Sequence, residues 1–200
     1  LAVTVTYTLL RDGICIRYEA ESTRDTFVSL TNHAYFNLAG HGNGSVLDHT
    51  LALAAEEYTP AGADNLPFGR LAPVAGTALD FCTENSLGAR IGDALLAPLH
   101  GYDHNFALSG RGIRRAAKLS CPRSGVSMAV DTTMEGMQLY TANFLSARAG
   151  KGGVQYEPYS GVCLETQRFP DAMHHAAFPS PLLRAGMRYD ERTEYRFTLV

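Results

Sequence analysis

The sequence predicts an all-β protein, a large antiparallel β-sandwich, and three observations carry that prediction. The chain opens with strict alternation of β-branched and aromatic residues. Short alternating runs then recur along it, punctuated by glycines. The best helix candidate is only six residues long. Two hundred residues, 46% hydrophobic and 18% charged, suit a globular chain with a real core. No linker-like composition interrupts them, so residues 1–200 are read as a single domain, without internal repeats.

In order, Val3, Val5, Tyr7 and Leu9 alternate with Thr4, Thr6 and Thr8, which is a strand signature. Arg11-Asp12-Gly13 is expected to turn the chain, with Asp-Gly supplying a positive φ. Ile14, Ile16, Tyr18 and Ala20 complete a hairpin with one buried face. A third strand is expected over 26–31, followed by a mobile turn at 41–45 and a short strand over 51–54. Residues 58–77 carry Pro60, Pro67 and Pro73 and read as a long loop. The helix candidate is 91–96, ended before Pro98. Further strands are expected over 104–108, 113–120, 126–132, 137–141, 161–167 and 193–200, with one helical turn over 170–175.

Composition excludes several classes of function. The net charge is −3 and the only local cationic cluster is Arg111-Gly112-Ile113-Arg114-Arg115. Nucleic-acid binding needs a broader positive surface. No apolar run is long enough to cross a bilayer as a helix. Cys15, Cys82, Cys121 and Cys163 are widely spaced, which points to a reducing, cytoplasmic setting and argues against a structural zinc site. Gly150-Lys151-Gly152-Gly153 lacks the Ser or Thr of a phosphate-binding loop. The chain begins at Leu1 inside a strand pattern, so an upstream segment is expected to have been trimmed or lost.

Four side chains could do chemistry. His33 sits beside Asn32 where a β-like run gives way to a turn, and histidine is the usual neutral-pH acid or base. Asp103 lies among aromatics in Gly101-Tyr102-Asp103-His104-Asn105-Phe106; strand alternation would send His104 to the other face. Glu165 interrupts the apolar run Gly161-Val162-Cys163-Leu164-Glu165-Thr166-Gln167, where burial would raise its pKa toward that of a useful base. Gln138, in Met137-Gln138-Leu139-Tyr140, offers an amide donor and acceptor suited to a sugar hydroxyl. Each of these is also what a structural residue looks like in isolation. His174-His175 is not read as a metal site, because adjacent histidines rarely face the same ligand and no carboxylate stands at helical i+4 spacing. No serine sits in a nucleophile elbow.

Together, Thr31-Asn32-His33-Ala34-Tyr35-Phe36-Asn37-Leu38-Ala39-Gly40, the Asp103 stretch, residues 137–144, and the Glu165 stretch continued by Phe169-Pro170-Asp171-Ala172 closely resemble the aldose 1-epimerase (galactose mutarotase) family. The four stretches occur in the family's order, and residues 179–186 and 195–200 resemble its C-terminal end. The resemblance implies the family's large β-sandwich, here incomplete, with an open sugar cleft on one sheet. It implies that His33 protonates the ring oxygen of an aldohexose and that Glu165 removes the anomeric hydroxyl proton. Asp103 and Gln138 would hold sugar hydroxyls, with Asn32 placed among the substrate-binding residues. Acid and base are expected on opposite sides of the acetal carbon. The reaction has no redox step, so the resemblance implies no cofactor and no metal. Family members carry a further N-terminal segment with a second catalytic histidine and an Asn-Arg pair, which this sequence lacks. Sheet edges left uncovered are expected to favour a homodimer. Two alternatives stand beside this reading. One is a non-catalytic carbohydrate-binding module that keeps Asp103 and Gln138. The other is a hexose-phosphate mutarotase with a cationic pocket drawn from Arg168 and Arg184.

Overall fold

The computed structural model describes residues 1–62 and 64–199. Val200, the end of the expected terminal strand, and Ala63, inside the expected long loop, lie outside them. The strands are β1 (Ala2–Leu10), β2 (Gly13–Glu21), β3 (Thr26–Phe27), β4 (Thr50–Leu53), β5 (Glu57–Tyr58), β6 (Ala72–Pro73), β7 (Asn85–Ser86) and β8 (Asp103–Ala107). They continue with β9 (Arg114–Cys121), β10 (Val126–Thr132), β11 (Gly136–Tyr140), β12 (Arg148–Ala149), β13 (Gln155–Tyr156), β14 (Cys163–Gln167), β15 (Leu182–Leu183) and β16 (Arg188–Leu199). Three single 3₁₀ turns, at Ala97–Leu99, Lys151–Gly153 and Ala172–His174, are the helical structure among the described residues. No helix among these residues is long and apolar enough to cross a membrane.

Two antiparallel sheets dominate. One has seven strands in the order β1-β2-β16-β10-β9-β4-β7, the other five in the order β14-β11-β8-β5-β6. Strand alternation sorts their side chains. Ile16, Tyr18, Met128, Val130, Ala117 and Leu119 from the larger sheet share one buried cluster with Phe106, Met137, Leu139 and Leu164 from the smaller. Hydroxyls tie the layers within this core: Thr193 Oγ1 meets both Thr132 and Thr166, and Tyr195 OH donates to the Leu164 carbonyl at 3.0 Å. These bonds satisfy polar atoms that would otherwise be costly to bury.

The remaining face of the five-stranded sheet carries the functional candidates. Gln138 lies directly opposite Asn105 on β8 and Glu165 on β14. By the same register Tyr140 lies opposite Asp103 and Cys163. Asp103, Asn105, Gln138, Tyr140, Cys163 and Glu165 therefore share one side of three adjacent strands.

The opening hairpin forms as expected, with Leu10 opposite Gly13, but the expected buried face is confined to β2, because Val3, Val5, Tyr7 and Leu9 on β1 are exposed. Its glycine has a different reason from the one expected. Gly13 is not in the left-handed region; it lies in the ladder, where an added Cβ would meet the Tyr195 carbonyl oxygen at 1.9 Å. Close approach of β16, not turn geometry, demands it. The expected strand over 26–31 shrinks to β3, because its partner β15 is only two residues long and follows Pro181, which has no N–H to extend the ladder. The expected helix over 91–96 is a series of turns. Six residues containing Gly92 cannot offset helix nucleation, and the Asp93 carboxylate takes the Leu95 N–H at 2.8 Å instead. The first of the three 3₁₀ turns comes just afterwards and includes Pro98.

Candidate active site

Residues 31–40 bring His33 to the five-stranded sheet without belonging to it. Phe36 and Val162 exchange two backbone hydrogen bonds, of 2.8 and 2.9 Å, just ahead of β14. The segment is held from behind as well. Asn37 Nδ2 donates to the carbonyls of Gly44 and Ser160, and the Leu38 N–H donates to Nε2 of buried His49 at 3.0 Å. That bond requires an unprotonated Nε2, and burial depresses the His49 pKa accordingly.

Anchored in this way, His33 stacks on Tyr35 with ring centroids 4.9 Å apart and meets Tyr140 edge-on at 6.0 Å. Its Nε2 stands 3.3 Å from Glu165 Oε1, while its Nδ1 faces Cys163 Sγ at 3.4 Å. The imidazole side chain is 49% exposed and the glutamate side chain 10%, so His33 is the wetter of the two and Glu165 the drier. Burial raises the Glu165 pKa; a charged His33 opposes the rise and the Asp103 carboxylate adds to it. Burial likewise raises that of Asp103, opposed by a 2.7 Å hydrogen bond from Gln138 Nε2 and by His33. The other atom of the Gln138 amide, Oε1, is buried and has no hydrogen-bond partner. An acceptor left in that state is costly unless a ligand hydroxyl reaches it.

His33, Asp103, Gln138 and Glu165 line a cleft of about 950 Å³, together with Tyr35, Tyr58, His104, Asn105 and Tyr140. No Lys or Arg is among its described lining residues. His33, Asp103, Gln138 and Glu165 are thus brought together. Asn32 is not: its amide donates to the Tyr18 and Tyr195 hydroxyls at 3.1 and 2.9 Å, and it does not line the cleft. Its place beside His33 put it among the sugar-binding candidates, but the two tyrosines draw it into the layer below. Arg168 pairs with Glu135 and Glu191, and Arg184 with Asp25, so neither cation reaches the cleft. His33 and Glu165 meet at one wall of the cleft.

The model of the family described as "Aldose 1-epimerase" matches residues 1–196. The chain belongs to the aldose 1-epimerase family. It is 41% identical to the galactose mutarotase of Mus musculus over 201 residues, covering all of this chain and 58% of that protein. It is 35% identical to the aldose 1-epimerase of Escherichia coli K12 over 203 residues, covering 98% of this chain and 58% of that one. Among solved structures, a GalM/aldose epimerase homologue from C. elegans superposes with a TM-score of 0.88 at 26% identity, over 99% of this chain and 60% of the other. The chain therefore spans about three fifths of the length of the curated relatives it matches.

Within this family member, sequence reasoning missed four neighbours of the candidate pair. Cys163 and Asn105 are visible only once strand register is known. Tyr195, about 160 positions from Asn32, is brought to it by the sheet stacking. His104 was expected on the face away from Asp103, yet its ring lines the same cleft. Its Nδ1 accepts the Asp103 N–H at 3.1 Å, and burial depresses its pKa to about 4; it is a neutral ring with the proton on Nε2. At His174-His175 the expectation of no carboxylate at i+4 spacing is corrected too. Asp171 precedes them at three- and four-residue spacing and contacts both rings, with His175 Nε2 at 3.3 Å.

Proposed function

We propose that this chain interconverts the α and β anomers of aldohexoses such as galactose and glucose, with His33 as acid and Glu165 as base. The observation that carries the reading is the 3.3 Å approach of His33 Nε2 to Glu165 Oε1 at the wall of a cleft with no Lys or Arg among its described lining residues. A sugar's ring oxygen and anomeric hydroxyl hang on the same carbon, so neighbouring acid and base suit them. His33 Nε2–H donates its proton to the ring oxygen as Glu165 removes the C1 hydroxyl proton. The bond between C1 and the ring oxygen breaks, an aldehyde forms, and the C1–C2 bond rotates. The ring recloses on the other carbonyl face, His33 takes back the ring-hydroxyl proton, and Glu165 returns one to the new anomeric oxygen. Asp103 and the unpartnered Gln138 Oε1 accept hydrogen bonds from sugar hydroxyls. All 200 residues act as one unit, in a reducing, cytoplasmic compartment consistent with four free cysteines.

Polarimetry on freshly dissolved α-D-galactose tests this. The chain is expected to speed the approach to equilibrium, and Glu165→Gln to slow it by ~10²–10⁴-fold, the range typical for one positioned proton-transfer group. An unchanged rate in Glu165→Gln would remove the base. Galactose binding by calorimetry with no change in rotation rate would make the chain a sugar-binding module. The phosphosugar alternative finds no support in the cleft, because its lining holds no Lys or Arg among the described residues.

A further inference from the structure

Cys163, His33 and Glu165 each offer one ligand atom, and these atoms lie within 4.8 Å of one another. Cys163 and Glu165 are two apart on β14 and project to the same side. His33 comes from the 31–40 segment and touches both, through Nδ1 and Nε2. Asp103 stands on the same side of the sheet, and no Lys or Arg lines the cleft among the described residues. A cation placed here would meet carboxylates without a competing fixed cation.

We propose that Cys163, His33 and Glu165 form a three-ligand site for a borderline-soft divalent cation, Zn²⁺ above all, with its fourth position open to the cleft. The donor set is sulfur, nitrogen and oxygen, which Zn²⁺ accepts and which hard cations such as Mg²⁺ do not favour. Zinc bonds of ~2.0–2.3 Å place tetrahedral ligands closer together than 4.8 Å, so the site closes by small side-chain shifts. The half-exposed His33 ring is free to make the largest, turning one nitrogen toward the gap between sulfur and carboxylate. Binding releases the thiol proton, so affinity rises with pH. The bound ion occupies both proton-transfer groups, and so excludes an aldose from the same wall.

Titration of the full chain with Co²⁺, followed by displacement with Zn²⁺, tests the site without reference to turnover. One equivalent of Co²⁺ is expected to produce a thiolate-to-cobalt charge-transfer band that Zn²⁺ abolishes. Cys163→Ser is expected to lose the band and to weaken Zn²⁺ binding, by calorimetry, more than the ~10–100-fold that loss of a merely supporting partner costs. His33→Gln, at a half-exposed position, provides the same affinity loss if Cys163→Ser does not fold. His174→Ala, in the exposed Asp171 cluster, is expected to leave the band intact. Absence of a thiolate band in the parent chain, or parental Zn²⁺ affinity in both site variants, would overturn the proposal. If the chain turns over α-D-galactose, Zn²⁺ is expected to inhibit competitively. If it does not, the spectroscopic result still decides the metal site.

Discussion

Glu165 shows how one side chain can oppose stability. A carboxylate on the dry wall of the cleft loses hydration, and only His33 compensates it. Its folded-state pKa is raised above the ordinary value of 4.5. A raised carboxyl pKa means that the folded chain holds a proton the unfolded chain has already released. Stability is therefore fully present below about pH 4.5 and is lost as pH rises through the higher, folded-state pKa. Glu165→Gln removes the ionising group while keeping its shape. In thermal melts the variant is expected to match the parent near pH 4 and to exceed it at pH 7. A parent more stable than Glu165→Gln at pH 7 would show that the ion pair with His33 outweighs burial. His104 acts in the opposite direction. Its pKa of about 4 lies below the usual histidine value, so its contribution to stability is present above about pH 6.5 and lost as pH falls toward 4.

At the scale of elements, much of the architecture was legible because alternation is a local property. Val3, Val5, Tyr7 and Leu9 stand on the same strand face as the sequence pattern requires, and 126–132 forms a strand with the expected ends. His33, Asp103, Gln138 and Glu165 were legible as a set through the family resemblance. What a linear reading could not supply was register. Whether Cys163 meets Tyr140, or Asn32 meets Tyr195, depends on how strands and loops far apart in sequence are aligned. Gly13 is the sharpest example, since its requirement comes from β16, the last strand. Gly13→Ala would press a methyl group into the Tyr195 carbonyl and Arg196 Cα, at 1.9 and 2.9 Å. The expected cost is ~1–3 kcal/mol or more, as for other overpacked sites, read as a lower urea midpoint at unchanged slope. Gly92→Ala is the control, because nothing lies within 4 Å of its added Cβ.

For the whole molecule, the seven-stranded sheet extends beyond the layer that covers it. Val3, Val5 and Tyr7 lie directly opposite Ala20, Tyr18 and Ile16 on β2, and so share their face of the sheet. The β2 residues are buried in the core, whereas Val3, Val5 and Tyr7 are 45, 43 and 63% exposed. Among the described residues β1 is also the outermost strand, paired only with β2. An uncovered apolar stripe on an unpaired edge joins two features that promote association, hydrophobic surface and a free hydrogen-bonding ladder. The isolated chain is expected to self-associate through β1, with apparent mass rising with concentration in sedimentation velocity. Replacing Val3 and Val5 together by lysine puts charge on the stripe without touching the cleft. It is expected to weaken association by at least ~10-fold, equivalent to ~1.4 kcal/mol, while leaving the five-stranded sheet and its cleft intact. Unchanged association in the double variant would place the contact elsewhere, and a strictly monomeric parent would show that the β1 edge is too strongly twisted or too polar in its threonines to pair.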